Sequence, residues 1–237
     1  MADINRNYSS TSGAVSDRAA IDAGLRAHMI RVYNYMAIGV ALTGVVAWLT
    51  SQIVGPALLN SPLIWVFILA PLALVFFISF RINSLSASTA RMLFFVYAAS
   101  IGLSLATIFF VYTQTSITRV FFISAAAFGA LSVWGYTTKR DLTGFGSFLL
   151  MGLIGVIIAS VVNIFLKSSG LDWIISLVGV IVFAGLTAWD TQKIKEMYDP
   201  MDDGTVAGRK AVMGALSLYL DFINLFMLLL RLFGNRR

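Results

Sequence analysis

Seven long apolar runs, at roughly 32–51, 62–80, 92–112, 118–136, 144–166, 172–193 and 212–233, set the terms on which this chain can fold. Each is close to the ~20 residues an α-helix needs to cross the hydrocarbon core of a bilayer. Inside lipid every backbone N–H and C=O must be satisfied by protein, so only helices and closed barrels span it. Barrel strands alternate apolar and polar residues, and these runs do not. Only 12% of the residues are charged, about half the ~25% of a soluble domain. An all-α integral membrane protein with seven transmembrane helices is therefore expected. The 237 residues suit a single bundle, divided as a flexible, polar, cytosolic N-terminal tail over 1–28 and a seven-helix domain over 29–237.

The basic residues predict the orientation. Arg6, Arg18, Arg26 and Arg31 precede or open the first run, and Arg81 and Arg91 separate the second from the third. Lys139 and Arg140 follow the fourth, and Lys193, Lys195, Arg209 and Lys210 follow the sixth, whereas the alternate connections hold only Arg119 and Lys167. Basic loops stay in the cytosol, which puts the N-terminus inside. Seven crossings then place the C-terminus outside, against the preference of Arg231, Arg236 and Arg237. A crossing is expected over a re-entrant segment, because 212–233 is long enough to span.

Several functions are disfavoured. The net charge of +6 is spread over short loops instead of one basic face, so nucleic-acid binding is not expected. There is no cysteine, and the single histidine, His28, falls in the polar tail, which removes thiol and histidine-centred chemistry. No nucleophile elbow, phosphate loop or zinc motif occurs, so neither an enzymatic activity nor a cofactor is expected. The five tryptophans sit near span ends, at headgroup level. Glycines within the runs suit close helix packing in lipid. Pro71 removes a backbone bond inside the second run and is expected to kink it.

Ionisable residues within a span cost roughly 2.5–3.5 kcal/mol and mark function by default. Two acids qualify. Asp190 lies near the basic end of the sixth run, and Asp221 lies well inside the seventh, on consecutive helices at similar depth. Ser217, Asp221 and Asn224 share one helical face at i−4, i and i+3. Oxygen ligands of this kind suit a hard cation such as calcium, held transiently by Asp190 and Asp221. Two adjacent carboxylates cannot both ionise cheaply and titrate as a unit, which makes a pH-dependent gate. Blander readings stand beside these: Asp190 pairing locally with Lys193, and Asp221 as a buried group bonded across helices. Arg81, at the end of the second run, either holds a carboxylate or anchors the helix in the headgroups.

The segments Ala188-Trp189-Asp190-Thr191-Gln192-Lys193-Ile194 and Ser217-Leu218-Tyr219-Leu220-Asp221-Phe222-Ile223-Asn224-Leu225-Phe226 resemble the last two helices of the Bax inhibitor-1 family, in its bacterial form, and the resemblance extends from about Arg31 to the C-terminus. It implies six helices around a central C-terminal helix, in the bacterial cytoplasmic membrane. It also implies a pH-sensitive calcium leak, in which residues matching Asp190 and Asp221 form a proton-sharing dyad and an arginine matching Arg81 latches onto it. The sequence departs from the bacterial pattern there, since Arg81 is followed by Ile82 and Asn83 instead of a basic cluster. Two other roles remain open: a proton-coupled cation exchanger using the same carboxylates, and a non-transporting modulator that binds a membrane protease or an apoptosis regulator.

Overall fold

The computed structural model describes residues 2–54 and 62–237, with side chains from Ala20 onward except Leu63 and Ile64. Eight helices follow one another: α1 (Ala2–Val54), α2 (Leu63–Arg81), α3 (Ala87–Leu105), α4 (Ile108–Val111), α5 (Gln114–Thr137), α6 (Thr143–Leu166), α7 (Ser169–Glu196) and α8 (Gly204–Phe233). All but the short α4 are long and apolar enough to cross a membrane. Local chemistry sets several of the starts. The side chains of Ser86, Thr113, Ser168 and Asp203 each accept a hydrogen bond from a first-turn amide of α3, α5, α7 and α8, satisfying donors that a helix cannot pair internally. Pro71 lies inside the continuous α2. The predicted connection at Gly55-Pro56 lies outside the described residues.

The helices form a bundle whose axis is α8. Its residues are the most buried of any span, and α1, α3, α5 and α7 pack directly on it. The other two are outer helices, with α2 resting on α3 and α6 on α7. This is the expected ring of six around one, in two shells. The outer surface is apolar, as lipid requires: Phe148, Met151, Ile164 and Phe165 of α6 are 64–81% exposed. Glycine sets the closest approaches, because a Cβ on Gly135 of α5 would overlap the Ala188 carbonyl of α7.

In the polar N-terminal segment, the described backbone from Ala2 is helical and continuous with the first span. Alanine-rich sequence without proline at 19–27 favours that continuation. Its end is docked: His28 is buried, its ring centroid 5.9 Å from that of Tyr198 in the α7–α8 connection. The third apolar run forms one candidate span over Ala87–Val111, in which the helix breaks after Leu105 and resumes as α4. At the other end, α8 is continuous to Phe233 and does not turn back. The residues after it are pinned to the α4–α5 turn, where Thr113 N donates to Asn235 O (3.0 Å) and Arg237 N to Val111 O (3.0 Å).

Gly135→Ala should lower stability by about 1–3 kcal/mol through overpacking. Gly129→Ala meets open space and should gain roughly 0.5–1 kcal/mol from helix propensity. Thermal unfolding in detergent checks both. Asp203 gives a pH-dependent case. Amide hydrogen bonds from Val206 and Thr205 hold its carboxyl below the usual range. A group whose folded pKa is lowered contributes fully above its unfolded value and loses that contribution as pH falls through the folded one. Asp203→Ala should therefore lower the Tm near neutral pH, with the gap to wild type closing below about pH 4.

Candidate functional site

α7 is fixed from three sides before it presents Asp190. Gly135 brings α5 against Ala188, and Gly146 brings α6 against the Trp189 ring. Gln192 pins the α5–α6 connection, accepting from Leu142 N (2.8 Å) and donating from Nε2 to the Arg140 carbonyl (2.8 Å). On α8, Tyr219 is fully buried and lies edge-on to Phe94 and Tyr97. Its hydroxyl and that of Thr43 are hydrogen-bonded at 2.6 Å, and Thr43 also donates to the Ala98 carbonyl (2.8 Å). Tyr219 thus fixes the rotation of α8, and the face carrying Ser217, Asp221 and Asn224 turns toward α6 and α7.

There the three helices enclose a cleft of about 430 Å³. Leu150, Leu153 and Ile157 of α6 form one wall, Phe183, Leu186, Trp189, Asp190 and Lys193 of α7 a second, and Ser217, Leu220, Asp221 and Asn224 of α8 the third. The Asp190 and Asp221 carboxyl groups stand within hydrogen-bonding reach of each other. Asp221 is only 4% exposed, and its Oδ2 is buried without a partner among the described residues. Asp221 lies near the middle of its 30-residue helix, because α8 begins at Gly204 instead of near 212. Asn224 donates its amide to the Leu220 carbonyl (2.8 Å), leaving its Oδ1 for the cleft.

A second cavity of about 270 Å³ shares Leu153, Ile157, Phe183 and Asn224 with the first and extends past Ser160 to Arg231. Arg231 Nη1 lies 3.8 Å from Asp172 at the start of α7. The two cavities line one side of α8 between Lys193 and Arg231.

Arg81 is not brought to the dyad. It is exposed at the end of α2, leads into the 3-10 turn Ile82–Ser84, and does not line the cleft. The reason is that α2 rests on α3, away from α7. The cation in the cleft is Lys193, whose Nζ sits 5.1 Å from the centroid of the Trp189 ring. Trp189 is the one tryptophan that departs from the exposed belt, since it forms part of the cleft. The positions of Trp189 and Lys193 at i and i+4, flanking Asp190, held that signal; the approach of α6 had none in the sequence.

Residues 25–237 match the family described as inhibitor of apoptosis-promoting Bax1. The chain belongs to the Bax inhibitor-1 family. Among its relatives, the inner membrane protein YbhL of Escherichia coli K12 is 49% identical over 91% of this chain and 94% of its own. The Rickettsia prowazekii protein RP147 is 46% identical over 98% and 99%. The Streptococcus pyogenes membrane protein SpyM3_0260 is 37% identical over 90% and 95%. The family match includes both α7 and α8 of this Bax inhibitor-1 protein.

The geometry has a direct check, helped by the absence of native cysteine. The double substitution Asp190→Cys/Asp221→Cys should be bridged by a short thiol-reactive cross-linker, detected as an intramolecular link by mass spectrometry.

Proposed function

We propose that this Bax inhibitor-1 protein is a calcium leak channel of the bacterial inner membrane, with its N-terminus in the cytosol and Asp190 and Asp221 as its pH-sensing gate. The observation that carries the reading is the pairing of two carboxyl groups from α7 and α8 in one cleft, with Asp221 buried at mid-helix. The inner-membrane assignment draws on the name of the YbhL relative, and the orientation on the basic loops.

The chemistry follows from the oxygens. A resident calcium site needs roughly six to eight oxygen ligands. Among the described residues no cluster of three or more acidic, histidine or cysteine side chains occurs. Two carboxylates with the Ser217 hydroxyl and the Asn224 carbonyl suit a cation in passage, which keeps part of its water. With one proton shared between them, the aspartates hold a single negative charge; a second proton discharges the pair. In this scheme Arg81 is the latch. α2, held mainly by α3, swings toward the dyad so that the guanidinium engages its charge and closes the path. Acidification discharges the pair and releases the latch.

Calcium entry into proteoliposomes should therefore rise as pH is lowered from about 8 to 6. Asp221→Asn, permanently uncharged at that position, should flatten the pH response, and Arg81→Ala should raise the flux at pH 8. Retention of the full wild-type pH profile by Asp221→Asn would remove the dyad from the mechanism. Uphill calcium uptake driven by an imposed pH gradient would identify a proton-coupled exchanger in place of a leak.

A further inference from the structure

The ring around α8 has another opening, on the side away from the dyad cleft. α1 and α5 both pack on α8, and near the basic end of the bundle the space between them widens into a groove of about 540 Å³. Its walls are apolar, from residues such as Met29, Met36 and Phe128, and Arg26 stands at its mouth. The side chains flanking it face outward into lipid, with Ile30 51% and Val133 64% exposed. The groove therefore opens sideways to hydrocarbon.

Both aromatic walls are fixed in place. The Tyr33 hydroxyl is hydrogen-bonded to Thr191 Oγ1 of α7 at 3.3 Å. Lys195 Nζ donates to the Tyr136 carbonyl (3.0 Å) and lies 5.2 Å from the centroid of its ring. A groove with held walls needs no reorganisation to accept a ligand. Between them, Gly129 leaves a gap, since a Cβ there would meet nothing within 4 Å. One polar group is left over. Ser124 and Thr137 of the same helix donate their hydroxyls to carbonyls four residues back. Ser132 lines the groove, is 4% exposed, and its Oγ has no partner among the described residues.

We propose that this groove binds one anionic phospholipid from the leaflet on the basic side, with an acyl chain running past Gly129 and the phosphate held by Arg26. The site is independent of the ion-transport reading. An apolar slot at hydrocarbon depth selects a chain, and a cation at its headgroup end selects net negative charge. Lys139 and Arg140, exposed just beyond the end of α5, add to the field that attracts anionic headgroups at this level.

The full-length protein, purified in detergent and incubated with phosphatidylglycerol or phosphatidylcholine vesicles, should retain one phosphatidylglycerol by native mass spectrometry and release phosphatidylcholine. Arg26→Gln should weaken phosphatidylglycerol retention about five-fold and leave phosphatidylcholine unchanged. Gly129→Leu, whose side chain enters open space, should lose the retained lipid while unfolding at the wild-type temperature. Equal retention of the two lipids by wild type overturns the proposal. So does full phosphatidylglycerol retention by Gly129→Leu. Where Gly129→Leu proves unstable, Arg26→Gln, on an exposed position, decides instead: undiminished phosphatidylglycerol retention overturns the site.

Discussion

Placing a carboxyl group at the middle of a membrane helix is the constraint around which this bundle is arranged. Asp221 cannot face lipid, where a charge costs at least ~2.5–3.5 kcal/mol, so α8 has to be the helix that the others surround. An axial helix carrying bulky side chains needs close neighbours. Gly214 of α8 meets Ile194, and Gly179 of α7 meets Leu228, each at a distance where a Cβ would touch. α7 and α8 therefore run closely packed, and the partner for Asp221 comes from the helix nearest to it. Asp221 Oδ2 is buried with no hydrogen-bond donor beside it among the described residues. A buried acceptor in that state favours a proton or a cation beside it.

The two sides of α8 differ in how firmly they are held. Toward α1 and α3, Tyr219 is wedged by two aromatic rings and hydrogen-bonded to Thr43. That side is a packed interior, where small displacements are resisted. Toward α6, the dyad faces a cleft whose outer wall belongs to the least buried of the seven spans. The two carboxyl groups are thus carried on closely packed helices, and a lipid-facing helix that rests on α7 closes the outer side of their cleft.

Much of this was legible in the sequence, for identifiable reasons. The spans could be read because a bilayer demands ~20 apolar residues at a time, and the dyad because charge inside such a run is costly. The ends of helices were less visible. Residues 2–28 are polar yet helical, and α8 starts at Gly204, about two turns before its apolar run, because hydropathy marks depth in lipid and not the limits of hydrogen bonding. Lateral relations were not visible at all. His28 read as a tail residue, although Tyr198 packs against it, and Trp189 read as a belt residue although it forms part of the cleft. Each contact joins segments far apart in the chain, or turns on helix rotation, and neither leaves a local pattern.

Arg81 and Lys193 show what separates a position from a contact. Both are basic, and both lie at the same end of the bundle. Lys193 follows Asp190 by three residues on the same helix, so it shares the cleft whatever the other helices do. Its ammonium nevertheless rests over Trp189, and no ion pair joins it to Asp190 among the described residues. Arg81 can reach the pair only through a displacement of α2, whose principal support is α3. A guanidinium offers a carboxylate two parallel hydrogen bonds, whereas an ammonium acts as a point charge. Lys193 therefore lies beside the pair as a point charge whatever α2 does, whereas the proposed latch asks of Arg81 a contact that is either made or broken.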